Sequence, residues 1–410
     1  MIQNEDIIMF GLQPWDIEIG SNFKNMALEL SKNNRVLYVN HPVNRISMIQ
    51  ERNNAQIKNR IRSLKYGEKV LEPAFEKLWV FNPRTILESV NWIPSAFLFD
   101  RFNYINNKRL AKEIQWASDQ LSFREPIIIV DNDFLRGFYF KELLKNKLFI
   151  FYIRDYLLSQ PYFKKHGNRL EPEMMRKADM VAANSGYLAD YARQYNPKAY
   201  DIGQGCDVEE FLNDFYPLPA DLAGIKKPVI GYCGVLLSIR LDISLLIQLA
   251  QRNPQWNFVL IGPEDESFRN SGLHHLNNVF FLGTKPAREL PAYIHHFDVC
   301  INPQVLNQMT IGNYPRKVDE YLAAGKPVVA TNTKTMEMFS PYVYLCKDAD
   351  EYISAIRGAL QNVNHGKKSG EGRNFAMSHT WEAVIEKLYE AIEDTGFSKS
   401  SEEIMNHVEN

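Results

Sequence analysis

Residues 302–331 have the side-chain types and spacing that best support chemistry. The segment has the order strand, polar loop, helix, glycine turn and strand, and Pro315 fits the first turn of that helix. Backbone N–H groups at a helix N-terminus are free to bind an anion such as a diphosphate. The loop residues that would present these groups are Gly312, Asn313 and Tyr314.

Three charged side chains follow this loop. Arg316 and Lys317 would add positive charge at the helix N-terminus, and Glu320 lies one turn further on, where it could accept hydrogen bonds from sugar hydroxyls. The alternative is an ordinary capped helix that leads into a buried strand, with all three charges solvated. The local pattern leaves both interpretations open.

Short apolar runs alternate with helical patterns in both halves of the chain. Strands are predicted at 6–12, 35–40, 125–131, 147–154, 180–184 and 199–203, and then at 229–233, 257–261, 279–282, 299–302, 327–331 and 343–346. This alternation indicates the α/β class, with two doubly wound, Rossmann-like lobes built on parallel sheets. Ligands of such sheets bind at the carboxyl ends of strands, so an interdomain cleft is the expected site.

Helices are predicted between these strands. They are expected at 21–32, 105–121, 136–146, 171–178, 185–195, 242–252, 288–296, 316–324, 348–362 and 373–393. Residues 207–227 are poor in both signals and are interpreted as a linker. The predicted organisation is an N-terminal lobe (1–206), the linker (207–227), a C-terminal lobe (228–372) and a final helix (373–410) that could pack on the N-terminal lobe.

Composition excludes several classes of protein. The 410 residues include 47 Lys and Arg against 49 Asp and Glu, and a net charge of −2 gives no reason to expect a nucleic-acid partner. The four cysteines form no CxxC pair, which argues against structural zinc and a disulfide framework. The acidic N-terminal segment lacks the basic residues of a signal peptide, and no apolar run approaches the ~18 residues of a membrane span. A cytoplasmic protein is expected.

A family resemblance extends the interpretation. The segment YPRKVDEYLAAGKPVVA from Tyr314 resembles the C-terminal signature of GT-B-fold, family-4-type glycosyltransferases, in particular the teichuronic-acid-biosynthesis type. Shorter segments agree: IGYCG from Ile230, FVLIG from Phe258, VFFLG from Val279 and IGQGCDVEEF from Ile202. The resemblance covers nearly the whole chain.

The resemblance implies that a sugar moves from a nucleotide sugar to a glycan or lipid-linked acceptor, usually with retention of configuration, in cell-surface polysaccharide synthesis. It places the donor in the C-terminal lobe and the acceptor in the N-terminal lobe. Basic side chains replace a metal at the diphosphate, so neither a metal nor a cofactor besides the nucleotide sugar is expected. The implied donor-binding residues are Gly234, Arg240, Gly312, Asn313, Tyr314, Arg316, Lys317 and Glu320.

Two positions depart from the family pattern. The family often has two glutamates separated by seven residues; Glu320 matches the second, whereas Gly312 occupies the first. The contact to the donor sugar must then come from elsewhere, such as the backbone N–H groups of Gly312 and Asn313. The usual Arg–Lys phosphate pair is reduced to Arg240, with Lys317, or alternatively Arg316, as the second cation. Arg240 and Lys317 would act in catalysis by stabilising the leaving diphosphate.

The acceptor side is predicted from N-terminal strand ends. Asp155 follows a buried strand and could orient the acceptor hydroxyl or act as general base, or it could simply cap the next loop. Gly20 would let a ligand approach the backbone, followed by Ser21. Trp15 and Asp16 on the same loop could contact the acceptor sugar. The alternatives are a tight turn capped by Ser21 and a packed tryptophan.

Residues 43–69 are locally basic. Seven Lys and Arg stand against two Glu, and Ile57, Ile61 and Leu64 recur at helical spacing. A basic amphipathic helix could make peripheral contact with the inner face of an anionic membrane, as a lipid-linked acceptor would favour. A helix packed on the lobe with a solvated basic face is the alternative.

Two other functions fit the same architecture. A GT-B-fold sugar-nucleotide epimerase would need further acid and base residues, for which the sequence offers no convincing set. A non-catalytic bilobal protein that binds nucleotides or glycans is the other, and the missing first glutamate favours it.

Overall fold

The chain forms two compact units. The computed structural model describes residues 2–16, 21–50, 54–361 and 366–397. The first unit comprises the described residues up to Gly203 together with those from Val384 onward, and the second comprises Gln204–Ala383. Within the described ranges, no helix combines the length and the apolar character needed to cross a bilayer.

The first unit is built on an eight-stranded sheet. Its strands are β1 (Asp6–Gly11), β2 (Arg35–Val39), β3 (Leu71–Phe75), β4 (Leu78–Phe81), β5 (Ile127–Asp131), β6 (Leu148–Ile153), β7 (Met180–Ala183) and β8 (Ala199–Asp201). The strand order is β3-β4-β2-β1-β5-β6-β7-β8. All neighbours pair in parallel except β3, which runs antiparallel to β4 at the edge.

Helices cover this sheet. They are α1 (Asn22–Ser31), α2 (Arg45–Gln50), α3 (Ala55–Tyr66), α4 (Ala96–Gln120), α5 (Phe140–Leu143), α6 (Pro161–Lys177) and α7 (Gly186–Arg193). Every residue of β1, β5 and β6 is buried, as expected for central parallel strands with both faces covered. One core cluster joins the sheet to α4 and α6 through Phe99, Ile114 and Met174.

The second unit contains a six-stranded, fully parallel sheet. Its strands are β9 (Val229–Cys233), β10 (Asn257–Ile261), β11 (Val279–Gly283), β12 (Val299–Asn302), β13 (Val328–Thr331) and β14 (Tyr344–Cys346), in the order β11-β10-β9-β12-β13-β14. Its helices are α8 (Ile243–Arg252), α9 (Glu266–Arg269), α10 (Leu290–His296), α11 (Arg316–Ala323), α12 (Ala349–Gln361), α13 (Gly366–Met377) and α14 (Trp381–Asp394), the last of which continues into the first unit. Two parallel-sheet units confirm the predicted α/β fold class.

Several elements differ from the prediction. The edge hairpin β3–β4 was missed. Helix α4 begins at Ala96 rather than near residue 105, because aromatic side chains on its exposed face obscure the amphipathic pattern. Helix α6 begins at Pro161 rather than near 171, since Gly167 and Pro172 inside it resemble helix breakers. The helix expected at 136–146 is only the single turn α5, and the one at 373–393 is two helices, α13 and α14.

The predicted linker belongs to the second unit. Phe211 and Leu222 are buried in the same core cluster as Val229. The boundary between units therefore falls at Gly203, slightly before the predicted limit of 206. At the C-terminal end, α14 packs in the first unit from Val384 onward, where Asn34 Nδ2 donates to the hydroxyl of Tyr389 at 2.8 Å.

Candidate functional site

Two glycines end neighbouring strands of the second unit. Gly234 follows β9 with φ +144°, and Gly262 follows β10 with φ +146°, a region that side-chain-bearing residues rarely adopt. A β-carbon on Gly234 would lie 3.1 Å from Cε of Lys317. The glycine turn after β9 thus packs closely against a lysine at the start of α11.

The segment after Gly234 is held on both sides. Asp265 Oδ2 accepts hydrogen bonds from the backbone N–H and the hydroxyl of Ser238, both at 2.7 Å. On the other side, Val305 donates its N–H to the carbonyl oxygen of Arg240 at 2.9 Å, and Asn307 Nδ2 donates to Ile239 at 2.7 Å. Arg240 is therefore fixed against the loop that leads into α11, at the carboxyl edge of the sheet.

Helix α11 begins without a side-chain cap. Pro315 occupies the N-cap position, one residue earlier than the predicted first turn. Gly312 is buried and Asn313 half-buried in the preceding loop. Tyr314 is also buried, its ring packed on Phe339 at 5.7 Å. The Tyr314 side chain is therefore packed inside the unit, and the predicted donor contact of this residue through its backbone N–H stays a prediction.

Three charged side chains surround the start of α11. Lys317 is half-buried, with Nζ 5.3 Å from the ring centroid of Tyr232. Arg316 lies 4.0 Å from a carboxylate oxygen of Asp207, while its buried Nε atom has no hydrogen-bond partner. Among the described residues, the half-buried carboxylate of Glu320 makes no hydrogen bond or salt bridge. These groups are positioned to receive a polar ligand.

Burial controls the protonation of Glu320. Loss of water raises the pKa of this carboxyl above its usual range, while the cations Arg316 and Lys317 act in the opposite direction. Because no described protein group donates a hydrogen bond to the Glu320 carboxylate, donors supplied by a ligand would favour its ionised form.

A buried polar cluster supports the same helix. His379 Nδ1 lies 2.8 Å from Oδ1 of Asp319 and 3.0 Å from the hydroxyl of Tyr314. The carbonyl oxygen of His379 accepts from the N–H of Cys206 at 2.8 Å. Burial raises the pKa of Asp319, and His379 opposes that rise. These contacts hold the first turn of α11 in its orientation.

Sequence reasoning missed two polar residues at the end of β12. Both side-chain polar atoms of Asn302 and the Oε1 atom of Gln304 are buried without a hydrogen-bond partner. A polar residue directly after a buried parallel strand is the signal that could have identified them. Unsatisfied buried amides at this edge are expected where a ligand completes the hydrogen bonds.

Asp155 of the first unit belongs to a chain of polar groups at the ends of β5 and β6. Its Oδ2 accepts from Arg154 at 3.0 Å, and Arg154 Nε donates to the buried Asp131 at 2.8 Å. The side-chain amide of Asn132 donates to the backbone oxygen of Asp155 at 3.0 Å. Burial raises the pKa of Asp131, although Arg154 opposes it. Asp155 is partly exposed and held in place.

A second cluster lies beside this chain. Asp133 caps the following turn through the N–H of Arg136 at 2.9 Å, and Arg136 also lies 2.8 Å from Nδ1 of His41. Burial by itself would raise the pKa of Asp133, but Arg136 and His41 lower it to about 2. The pKa of His41 is lowered to about 4, mainly by burial and secondly by the positive charge of Arg136.

Trp15 and Asp16 line a pocket of about 320 Å³ within the first unit. The pocket is also lined by Arg60, which forms a two-point ion pair with Asp16 at 2.7 and 2.8 Å. Trp15 packs edge-on against Tyr38, and Lys24 Nζ lies 4.7 Å from its ring centroid. Both predicted acceptor residues are therefore present at one pocket, but each already has protein partners.

The other two residues predicted to contact the acceptor substrate are Ser21 and Gly20. Ser21 is fully buried, accepts from the N–H of Lys24 at 3.3 Å as the N-cap of α1, and contacts Gln13 at 2.5 Å. Its hydroxyl is thus used by the helix cap, and the predicted acceptor contact is not supported. Gly20 lies outside the described residues.

Within the described ranges, no group of three or more His, Cys, Asp or Glu side chains could hold a metal ion. The four cysteines are buried and unpaired.

Comparisons with known proteins agree with this geometry. The family described as "Glycosyl transferases group 1" matches residues 227–362, which include Gly234, Arg240, Lys317 and Glu320. A Bacillus subtilis protein provisionally named as the teichuronic acid biosynthesis glycosyltransferase TuaH is 30% identical over 249 residues. Residues 227–362 therefore resemble a glycosyltransferase family, and the chain is similar to the Bacillus protein over part of its length. The match to the Bacillus protein spans 57% of this chain and 62% of that relative.

Solved glycosyltransferase structures share the fold. Sucrose-phosphate synthase from Thermosynechococcus elongatus superposes with a TM-score of 0.66 at 16% identity, over 95% of this chain and 99% of that one. Anabaena HepE in complex with UDP superposes with a TM-score of 0.66 at 14% identity, over 95% and 100% of the two chains. At such identities the likeness establishes the GT-B fold alone.

Proposed function

We propose that this protein transfers a sugar from a nucleotide-sugar donor to a glycan or lipid-linked acceptor, with retention, in cell-surface polysaccharide synthesis. The observation that carries the proposal is the contact of Lys317 with the glycine turn at Gly234, where a β-carbon would be 3.1 Å from the lysine Cε. A cation thus lies beside the glycine backbone at the carboxyl end of a parallel strand, inside the segment that matches the family model.

The donor would bind to the second unit. Lys317, Arg240 and the N-terminus of α11 would hold the diphosphate, and Arg316 would add charge from its unpartnered Nε. The free carboxylate of Glu320 would accept hydrogen bonds from the nucleotide ribose. Because the HepE complexes contain UDP and UDP-glucose, a uridine nucleotide is the first donor class to test.

The chemistry requires charge stabilisation at the leaving group. The bond between the sugar C1 and the diphosphate oxygen breaks, a bond forms between C1 and the acceptor oxygen, and the acceptor proton leaves. Fixed cations such as Lys317 and Arg240 would stabilise the departing diphosphate without a metal ion. We therefore propose metal-independent transfer with no cofactor besides the nucleotide sugar.

The acceptor would bind to the first unit. Asp155, held by Arg154 and Asn132, would orient the acceptor hydroxyl. The pocket lined by Trp15 and Asp16 would hold an acceptor sugar, because a tryptophan ring and fixed charged groups are the surfaces that sugars use.

Peripheral membrane contact through residues 43–69 remains a proposal for a protein at the cytoplasmic face. Helix α3 forms where the sequence predicts it, with Lys58, Arg62 and Lys65 exposed. Its apolar residues Ile57 and Leu64 are half-buried. This helix would therefore bind the membrane through its charged side chains more than by inserting apolar side chains into the lipid.

A nucleotide-release assay tests the function. The purified protein is incubated with UDP-, GDP- and ADP-sugars and a polysaccharide or polyprenyl-phosphate-sugar acceptor, and the released nucleotide is measured with a coupled phosphatase. Acceptor-dependent release that falls at least 100-fold in Lys317→Met supports the proposal. Stabilisation by a nucleotide without release from any donor would identify a binding protein, and epimerised donor without acceptor would identify an epimerase.

A further inference from the structure

The outer face of α4 is unusually apolar for a surface helix. Nine side chains between positions 97 and 112 are exposed. Five are aromatic or aliphatic (Phe97, Leu98, Phe102, Tyr104, Ile105), four are basic (Arg101, Lys108, Arg109, Lys112) and none is acidic. A surface helix normally turns its polar face to water, so this face is suited to a partner that is both apolar and anionic.

Two further exposed aromatic residues lie on segments before α4 and at the start of α6. Trp92 and Tyr162 are 71% and 60% exposed, and Phe97 is 73% exposed. Trp92 and Tyr162 line one open cleft of about 470 Å³ together with Ile46, which is also exposed. Single exposed apolar residues are common, whereas a contiguous group of large ones marks an interaction site. We call Trp92, Phe97, Leu98, Phe102 and Tyr162 the aromatic surface.

Firm contacts hold the aromatic surface in place. The ring of His166 in α6 stacks on Phe99 of α4 at 3.7 Å, and its Nε2 lies 2.9 Å from the carbonyl oxygen of Ile93. Arg169 of α6 pairs with Asp100 of α4 at 2.5 Å. The backbone beneath the aromatic surface is therefore fixed, and its apolar side chains are exposed because of how the helices pack.

The charges around the aromatic surface are predominantly positive. The acids nearest this face are paired with arginines: Asp100 and Glu173 share Arg169, Glu88 pairs with Arg45 and Arg109, and Glu113 pairs with Arg84. Among the described residues, Lys108 has no acidic partner, and neither do Arg101 and Lys112. The face therefore attracts anions while offering apolar side chains.

We propose that this face docks onto an anionic lipid bilayer. Tryptophan, tyrosine and phenylalanine side chains partition into the headgroup region, and adjacent Lys and Arg side chains bind anionic headgroups. The combination of exposed aromatics with unpaired cations favours lipid over a second protein, whose interface would be depleted in lysine. The inference does not depend on the proposed transferase activity.

Vesicle co-sedimentation of the full chain tests the proposal. Binding is expected to vesicles of phosphatidylcholine with 30% phosphatidylglycerol, and to be at least tenfold weaker to phosphatidylcholine alone. Trp92→Ser with Phe97→Ser should weaken binding at least tenfold, and Lys108→Glu with Lys112→Glu at least twentyfold, at about fivefold for each charge lost. Unchanged binding in both double variants would overturn the proposal.

Matched controls come from other exposed positions. Phe215 of the second unit is even more exposed than Phe97, so Phe215→Ser should leave binding unchanged. Lys58→Glu with Lys65→Glu in α3 removes the same charge as the α4 double variant, and should weaken binding less. A larger loss in the α3 variant would move the contact to residues 43–69 and overturn the assignment to α4.

A second measurement needs no binding-defective variant. Vesicles with brominated acyl chains should quench Trp92, which is isolated by subtracting the emission of Trp92→Phe from that of the wild type. Quenching of this difference emission supports insertion, and its absence overturns it. A dimer by sedimentation velocity that Phe97→Ser makes monomeric, with no vesicle binding, would instead assign the surface to a second copy of the chain.

Discussion

Gly262 packs against the backbone of Gly234 so closely that a β-carbon on Gly262 would lie 2.0 Å from the carbonyl oxygen of Gly234. Both residues also have a φ that L-amino acids avoid. The ends of β9 and β10 can therefore meet only because neither carries a side chain there, and this contact shapes the turn beside Lys317.

Gly262→Ala should consequently destabilise the protein. The clash and the unfavourable φ together should lower the free energy of unfolding by about 3 kcal/mol. Urea unfolding measures the change. Gly358→Ala is the matched control, because nothing lies within 4 Å of its added β-carbon in α12, and it should be neutral or stabilising by about 0.5 kcal/mol. Equal effects of the two substitutions would contradict the close contact.

Lys317 and Glu320 should contact different parts of a bound nucleotide. Lys317→Met should weaken UDP binding at least tenfold while changing uridine binding little, since uridine has no phosphate. Glu320→Gln should weaken both ligands by about 10- to 100-fold, because it removes an acceptor for the ribose hydroxyls. Isothermal titration measures both constants.

The control for this pair is Glu337→Gln. Glu337 is an exposed carboxylate of the same unit that pairs with Lys334, so its loss should change neither affinity. If Lys317→Met weakened uridine as much as UDP, the phosphate assignment would be wrong.

The ion pair between Asp16 and Arg60 should stabilise the first unit. The Arg60 side chain is only 5% exposed, so Asp16→Asn would remove a carboxylate charge that pairs directly with a buried guanidinium. We expect a loss of about 2 kcal/mol, reduced from the full buried-pair range because Asp16 is 30% exposed. Chemical denaturation provides the measurement.

Another arginine pair serves as the reference. Arg45 and Glu88 form a two-point pair at 2.7 and 3.0 Å, but Arg45 is 66% exposed. Glu88→Gln should therefore destabilise the protein much less than Asp16→Asn. Similar losses in Asp16→Asn and Glu88→Gln would mean that burial of Arg60 has no energetic effect.

His41 should make the protein sensitive to mild acid. Its pKa is lowered to about 4 in the folded state, against 6.5 for an unperturbed histidine. As the pH falls through 6.5, the unfolded chain binds a proton that the folded protein does not bind until about pH 4. Stability therefore falls with pH in this window, by about 3 kcal/mol in total.

His41→Asn should flatten that part of the stability profile. The free energy of unfolding is measured between pH 7 and 4 for the wild type and the variant. The free energy of unfolding of the wild type minus that of the variant should decrease steadily as the pH falls, whatever its value at neutral pH. His275→Asn is the control, because this histidine is exposed, and it should run parallel to the wild type. A constant difference for His41→Asn would contradict the depressed pKa.

The sequence predicted much of the second unit closely. The observed bounds of β9, β10 and β12 coincide with the predicted ones, because each is a continuous apolar run ended by a polar residue or a glycine. Helix α11 was also placed within one residue, and the family resemblance carried by its sequence was confirmed.

The first unit was predicted less completely. The start of α4 was placed about nine residues too late, since Phe97 and Phe102 face water and break the expected pattern. The hairpin β3–β4 was missed because an edge strand needs no continuous apolar run, and β3 is largely exposed. Both errors arise where a surface does not follow the rule that apolar side chains are buried.

The sequence by itself determined the parallel α/β class, most of the order of strands and helices and the resemblance to a glycosyltransferase family, because these depend on local periodicity and on contiguous motifs. Only the tertiary structure decided which candidate side chains remain available. Tyr314 is occupied by His379, 65 positions away, and Asp16 by Arg60, 44 positions away. Such pairings depend on how distant segments pack, which local spacing does not encode. For the same physical reason, the half-buried position of the Glu320 carboxylate and the exposure of the Phe97 ring became apparent only in the folded chain.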